Sequence, residues 1–458
     1  MRIKKVDKHI FREYDIRGIY SEDLDEDTAY TIGRSFGTYI KGREHYKVLV
    51  GHDNRISSPS LSKALIKGLV DSNMNVIDLG LITTPMYYFA RKYFNIPAGI
   101  MITASHNPKE YNGFKIAFDD FGNAYGKMIE DFYFFTNNGQ FDTGCGKVVS
   151  YDIKDEYIKN IVKCTNLDNK KLNVVFDCGN GTGSIVIKDI MEHFNVNCEY
   201  LYCDSNPEFP HHIPDPSVGE NMRKLGEKVK KLGYDLGIGI DGDADRVGLV
   251  LEDGKFIPAD LIMLIIYRNI CKSMKNKKAL FDVKCSRTLI DEIKKLGLEP
   301  VMNRTGNSYC NKAMQDGNFD FGGEYSGHLF FRDKYQGFDD GIYAGLRIIE
   351  ILSHTDKSIS ELLDGINKYY STEEIKIKVK EHNKFKIIDN LKEYVISKGY
   401  KYEDIDGIRV EFENGWALMR ASNTGPNLTV RFEASTMDEL EKIKKEFMDE
   451  INTQVKIA

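Results

Sequence analysis

No two of the eight cysteines stand at the C-x-x-C spacing of zinc or thiol-redox sites. Cys145, Cys164, Cys178, Cys198, Cys203, Cys271, Cys285 and Cys310 are scattered, which fits reduced thiols in a cytoplasmic protein better than a disulfide framework. No G-x-x-x-x-G-K-[ST] occurs, which argues against a P-loop kinase. The longest apolar run, "LIMLIIY" from Leu261 to Tyr267, is too short to span a bilayer. The N-terminal "MRIKKVDKHIFREYD" is basic but lacks the apolar centre of a signal peptide. Basic residues are not in excess either: 63 Lys+Arg against 69 Asp+Glu give a net charge of −6. No global basic field is available for nucleic acid, although local basic pockets are. The expectation is a cytoplasmic protein whose partners are small molecules, with neither nucleic acid nor membrane among them.

The 458 residues, 41% of them apolar, suffice for several cores. Strand-like and helix-like runs alternate. "YKVLVGHD" leads through "SPSLSKALIKGLVDSN" to "NVIDLG", "LNVVFDCG" through "TGSIVIKDIMEHF" to "CEYLYCD", and "KALFDVK" into "SRTLIDEIKKLG". This repeated βαβ rhythm predicts parallel or mixed sheets covered by helices. Breaks are expected in the polar stretch Gly144 to Asp155, at the turn Glu252 to Lys255, and after Tyr369 to Lys378. The last ninety or so residues instead read as antiparallel strands, "GIRVEF", "WALMRAS" and "NLTVRFEA". A final helix is expected near Thr436, where Thr436-x-x-Glu439 fits a capping box and Leu440, Ile443, Phe447 and Ile451 recur at helical spacing.

Five segments carry chemistry. In "ITASHNPKEYNGFKI", Ser105 follows an apolar strand on a turn from which Pro108 bars helix, and Lys115 lies in the next strand. Taken alone, this reads first as a polar loop capping an element. "DGDADR" sets Asp241, Asp243 and Asp245 on one short loop between strands. Such crowding is unfavourable without a cation, and hard oxygen ligands suit Mg²⁺ or Ca²⁺. Glu252 falls at an EF-hand's twelfth position, but Arg246 stands where that loop needs glycine and the flanks are strands, so an EF-hand is rejected. "GGEYSGH" gathers Glu324, Ser326 and His328 on a glycine-rich turn suited to hydroxyl groups. "RASNTGPNLTVR" presents Arg420, Ser422, Asn423 and Thr424, a donor set for an anionic phosphate. "DCGNGTGS" mimics a dinucleotide fingerprint, but its spacing is G-x-G-x-G, and a tight strand-to-helix turn is the better account.

Together with "FREYDIRG" near the start, these motifs resemble, in order and over nearly the whole chain, the α-D-phosphohexomutases, most of all their bacterial phosphomannomutase/phosphoglucomutase branch. The resemblance implies three α/β domains with mixed sheets (1–150, 151–253, 254–367) and a smaller α+β domain (368–458) around one central cleft. It implies an isomerase that interconverts hexose 1-phosphate and hexose 6-phosphate through a phosphoserine at Ser105 and a hexose 1,6-bisphosphate, which also serves as activator. Mg²⁺ would be held by phosphorylated Ser105 with Asp241, Asp243 and Asp245. Lys115 and Arg17 would sit near the transferring group and Arg246 beside the metal, and His328 or Lys115 would move the sugar hydroxyl proton. Tyr14 and the Arg420 to Thr424 segment would hold the distal phosphate. Glu324 and Ser326 would bind O3 and O4, leaving O2 unread, and Lys284 would be a further substrate contact. Arg431 is left out of the site as a structural strand residue. Asn307, in "RTGNSY", stands where the branch commonly has histidine, which leaves mannose-versus-glucose preference open. A phosphoglucosamine mutase of the same family is the alternative, although "SNTGP" departs from its S-G-T-E-P. A non-catalytic sugar-phosphate-binding protein would lack Ser105 or the three aspartates. A monomer or a homodimer is expected.

Overall fold

Parallel strands that end in a reversed neighbour recur in three of the four sheets of the computed structural model, which describes residues 1–120, 122–422 and 425–457. In the first sheet, Lys47–His52, Asn75–Leu81 and Gly99–Ile102 run parallel, and Tyr111–Ala117 turns back against Gly99–Ile102. In the second, Leu172–Asp177, Val196–Leu201 and Leu236–Ile240 are parallel, and Val247–Val250 returns against the last of them. In the third, Lys278–Asp282 lies parallel to Glu299–Asn303 and Phe321–Gly323, and Leu329–Phe331 reverses. The parallel strands are apolar because helices cover both faces, as the fully buried Leu236–Ile240 shows. The fourth sheet is wholly antiparallel and includes the pair Gly415–Ala421 and Asn427–Ala434. The mixed α/β sheets and the α+β end therefore match the expected fold class.

Four of the motifs singled out in the sequence, those carrying Ser105, Asp241 to Asp245, Glu324 to His328 and Arg420 to Ser422, fall where a strand reverses against its neighbour. The chain leaves a buried strand, makes a short polar connection and returns. That architecture presents side chains at a strand end while the flanking ladder fixes the backbone. One hydrophobic core runs from Leu49 to Ile359 through the first three units. The C-terminal unit has its own core, which includes Ile408, Phe432 and Phe447. Arginines tie it to the third unit: buried Arg409 donates to the carbonyls of Val283 and Cys285 (2.6 and 2.8 Å), and half-buried Arg287 reaches Glu411, Phe412 and Glu413.

Some expectations shift. The break expected after Tyr369 to Lys378 comes at its start: Tyr370–Ser371 and Ile375–Lys378 already pair with Asn427–Ala434 because Ile375 and Ile377 alternate towards the core. The 253/254 division falls inside a hairpin, since Phe256–Ile257 pairs with Val247–Val250. The stretch Gly144 to Asp155 contributes a strand, Val148–Ser150, to the first sheet before the helix Lys154–Cys164 begins. "TGSIVIKDIMEHF" is not one helix but a 3-10 turn, Thr182–Ile185, and a short helix, Ile187–Met191, divided at Val186 with φ −136°. The last helix, Met437–Ile457, follows a Thr436 hydroxyl that accepts from the Glu439 N–H at 3.2 Å. All eight cysteines are free, and among the described residues no helix is long and apolar enough to cross a membrane.

Candidate active site

A cleft of about 480 Å³ is bordered by residues of all four units. Tyr14, Arg17, Ser105 and Lys115 border it from the first unit, and Arg246 from the second. Lys284, Glu324, Ser326 and His328 border it from the third, and Arg420 and Ser422 from the fourth. Asn423 and Thr424 lie outside the described residues. Arg431 does not line the cleft; it is buried over the Tyr325 ring at 3.9 Å and donates to the Lys284 carbonyl.

Ser105 is held in the left-handed region (φ 50°), which is uncommon for a residue with a side chain and marks a conformation imposed by its surroundings. Those surroundings are explicit. The buried Arg55 guanidinium donates to the carbonyls of Ser105 and Asn107 at 2.7 Å each, and to those of Pro108 and Tyr111 at 2.7 and 3.0 Å. Asp53 in turn pairs with Arg55 at 3.1 Å. A Cβ on Gly242 would stand 2.4 Å from the Ser105 carbonyl oxygen, so the "DGDADR" loop approaches this closely only because glycine follows Asp241. The "DCGNGTGS" turn supports that same loop: the Thr182 N–H and hydroxyl donate to the Gly242 carbonyl at 2.8 and 3.1 Å. Its glycines serve backbone packing, in keeping with a tight turn rather than a dinucleotide cradle.

The Ser105 hydroxyl donates to Asp241 Oδ2 at 2.9 Å, and His106 Nδ1 lies 3.1 Å from Ser105 Oγ. Asp241, Asp243 and Asp245 are fully buried, and one oxygen of each falls within 4.8 Å of the others. Lys115, in register with Met101 on the neighbouring strand, places its ammonium 2.8 Å from Asp243 Oδ2 and 2.5 Å from Asp245 Oδ2. The Thr84 hydroxyl also donates to Asp243 Oδ2 at 2.7 Å. Burial opposes ionisation of all three acids. At Asp243 the Lys115 charge outweighs it and holds the carboxyl well below the usual range. At Asp241 and Asp245 burial and the neighbouring carboxylates win, and both are pushed up. One ammonium therefore does not neutralise the cluster. Asp243 Oδ1 and Asp245 Oδ1 are buried without a hydrogen-bond partner. A set of hard oxygen donors with orphaned lone pairs fits a divalent cation such as Mg²⁺. Glu252, the rejected EF-hand position, instead accepts from the Ser360 hydroxyl.

Arg246 Nε donates to His328 Nε2 at 2.9 Å, and His328 Nδ1 lies 2.7 Å from Asp339 Oδ2 and 3.5 Å from Asp245 Oδ1. Arg17 donates to Asn107 Oδ1 at 3.0 Å and pairs with Asp15 at 2.6 Å. On the far side of the cleft, Lys284 pairs with Glu374 at 2.9 Å, and Arg420 grips Asp406 through Nε and Nη2, each at 2.9 Å. The Lys384 ammonium donates to the Ser422 carbonyl at 2.8 Å. Thr84, Arg55, Asp339, Glu374 and Asp406 were not read from the sequence, because each reaches the site from a stretch without a local pattern.

Glu324 accepts the Gly306 N–H at 2.5 Å, and burial pushes its carboxyl up to about 7. A raised pKa means that the folded state binds the proton more tightly. The stabilisation is complete below the unfolded value and is lost as pH rises through about 7. The Tm advantage of the wild type over Glu324→Gln should therefore shrink between pH 5 and 8, by calorimetry in buffers of small ionisation enthalpy, roughly following that window. An advantage that grows with pH would contradict the burial argument.

The chain matches the domain profiles described as phosphoglucomutase/phosphomannomutase alpha/beta/alpha domains I, II and III over residues 8–138, 155–254 and 258–369. It matches the C-terminal domain of the same family over residues 374–450. It is 40% identical over 444 residues to a phosphomannomutase/phosphoglucomutase of Pseudomonas putida, covering 96% of this chain and 95% of that protein. It is 37% identical over 446 residues to a phosphoglucomutase of Neisseria gonorrhoeae, with 96% of each covered. A crystal structure of a phosphoglucomutase/phosphomannomutase family protein from Burkholderia thailandensis superimposes with a TM-score of 0.90 at 34% identity, covering 98% of both chains.

Proposed function

We propose, from the premise that the chain belongs to the phosphoglucomutase/phosphomannomutase family, that its hexose-phosphate mutase activity runs through phosphoserine at Ser105. The observation that carries this reading is the contact of the Ser105 hydroxyl with Asp241 at 2.9 Å, at the head of a buried acidic cluster short of positive charge. A phosphoryl group on Ser105 adds oxygen ligands where Asp241, Asp243 and Asp245 converge. When bound there, Mg²⁺ supplies charge neutralisation to the transferring phosphoryl group.

The free hydroxyl of a hexose phosphate attacks the phosphorus, the bond to Ser105 Oγ breaks, and a hexose 1,6-bisphosphate forms. The bisphosphate turns over in the cleft, and its other phosphate returns to Ser105. Between the two candidates for the hydroxyl proton, the geometry favours His328. The Lys115 ammonium is held between Asp243 and Asp245 at 2.8 and 2.5 Å, where it offsets charge on the departing oxygen. His328 Nε2 offers a lone pair, which accepts from Arg246 Nε at 2.9 Å, and both side chains border the cleft. Glu324 and Ser326 take sugar hydroxyls, and Lys284 is a further contact. Tyr14, Arg420 and Ser422 take the distal phosphate, with Asn423 and Thr424 assigned beside them by resemblance. We place the enzyme in the cytoplasm.

Side-by-side assays on the 1-phosphates of mannose, glucose and glucosamine test the reading. Turnover of mannose or glucose 1-phosphate is expected, and turnover confined to glucosamine 1-phosphate would move the protein to the sister activity. Arg420→Ala tests the distal clamp. A bidentate guanidinium–phosphate contact is geometrically specific. Its loss should raise KM and lower kcat, together worth about 2–5 kcal/mol, while phosphorylation of Ser105 survives. Normal KM in Arg420→Ala would remove this residue from the clamp.

A further inference from the structure

We propose that Asp339 is the positioning residue for His328: it fixes the Nδ1–H tautomer, with Asn307 steadying its carboxylate, so that the bare Nε2 faces the cleft. This inference rests on the reading of His328 as the acceptor of the sugar hydroxyl proton.

Two independent contacts define the tautomer. Arg246 Nε is always a donor, and at 2.9 Å it requires a lone pair on His328 Nε2. On the other side of the ring, the oxygens near Nδ1 are both carboxylate, Asp339 Oδ2 at 2.7 Å and Asp245 Oδ1 at 3.5 Å. A bare nitrogen lone pair 2.7 Å from a carboxylate oxygen is repulsive, so Nδ1 carries the proton even though its N–H is not aligned for a hydrogen bond. The charged groups around the ring are Arg246, Asp245, Asp339 and Glu324.

The Asp339 carboxylate has reason to stay. Asp339 is buried, and its backbone bridges to Phe330 in the strand that follows the "GGEYSGH" turn. Its neighbour Asp340 caps the helix Gly341–Ser353 through the Tyr343 N–H at 2.9 Å and accepts from Tyr157 and Tyr335 at 2.9 and 2.7 Å. The Asn307 amide donates to Asp339 Oδ2 at 3.3 Å, from the start of the helix Asn307–Asp316. A neutral amide there holds the carboxylate without competing for the His328 proton. This gives Asn307 a role that the sequence did not suggest. A carboxylate that orients an imidazole and fixes its tautomer recurs at metal and catalytic histidines.

Two measurements decide the matter. Long-range ¹⁵N–¹H spectra of histidine-labelled enzyme, with His328 assigned by its loss in His328→Gln, should show a protonated Nδ1 and a bare Nε2. In Asp339→Asn that signal should move to a tautomer mixture. In kinetics, Asp339→Asn should lower kcat about ten- to a hundredfold with KM little changed. In a His328→Ala background the same substitution should cost less than about twofold, because a positioning residue has nothing left to position. Asn307→Ala should move kcat in the same direction by a smaller factor. A protonated Nε2 in the wild type, an unmoved tautomer in Asp339→Asn, or additive losses in the double variant would each overturn the proposal. If the wild type fails to interconvert any hexose phosphate, the mutase reading falls, while the tautomer spectra still decide the role of Asp339.

Discussion

Ser105→Ala is expected to abolish the phosphorylated species and nearly all turnover. Intact-mass analysis of freshly purified wild-type protein should show a population heavier by one phosphoryl group, and peptide mapping should assign it to Ser105. The variant should show none. The expectation follows from three features that serve no purpose in an ordinary loop: the left-handed backbone at Ser105, the Arg55 guanidinium spent on the carbonyls around it, and the buried carboxylates behind its hydroxyl. Loss of the nucleophile removes the covalent route altogether, and alanine also tolerates φ near 50° poorly, so the fold is checked by Tm. Residual turnover is expected only with added hexose 1,6-bisphosphate, which brings its own phosphoryl group. Full activity in Ser105→Ala without it would end the assignment.

Asp243→Asn should cost roughly a hundredfold or more in kcat and shift the Mg²⁺ dependence to higher concentration, the scale of losing a main electrostatic stabiliser. Asp243 is the acid whose ionisation the structure secures most firmly, through Lys115 at 2.8 Å and the Thr84 hydroxyl at 2.7 Å. The amide removes the charge, leaves Lys115 with Asp245 alone and takes one ligand from the cation site. A buried pair broken on one side typically loses about 3–5 kcal/mol, so Tm should fall as well. Kinetics are therefore read well below the variant's Tm. Wild-type activity that is indifferent to a strong chelator, or a variant within a few fold of wild type across Mg²⁺ concentrations, would refute the role.

The sequence made the polar connections legible because each interrupts a buried strand. "AGIM", "LGIGI" and "WALM" are apolar enough to be read as strands, and a serine, an aspartate cluster or an arginine just beyond them cannot belong to the core. Lys115 was legible from its place in the return strand, although its partners Asp243 and Asp245 lie more than a hundred residues away. The supports were not legible. Arg55 reads as one more polar residue in a loop, yet it organises the backbone around Ser105. Asp339 follows a glycine–phenylalanine pair with no local signal, and Thr84 looks like a helix start rather than a clamp on another unit. The charged "STEEIKIK" reads as a connection, so a break is expected after it, although the domain bounds 368–458 already include it. Its two isoleucines pack half-buried against the core while the lysines face out, and that alternation carries the strand.

The central claim is that the phosphoryl group on Ser105 is the one delivered to the sugar. The direct measurement is a single turnover: purified phosphoenzyme in excess over glucose 1-phosphate with Mg²⁺, quenched over milliseconds to seconds, with the Ser105 peptide weighed and the sugars resolved in each sample. The account predicts that phosphate leaves Ser105 at the rate at which hexose 1,6-bisphosphate appears, one for one. Product that forms while the Ser105 peptide keeps its phosphate unexchanged would contradict it.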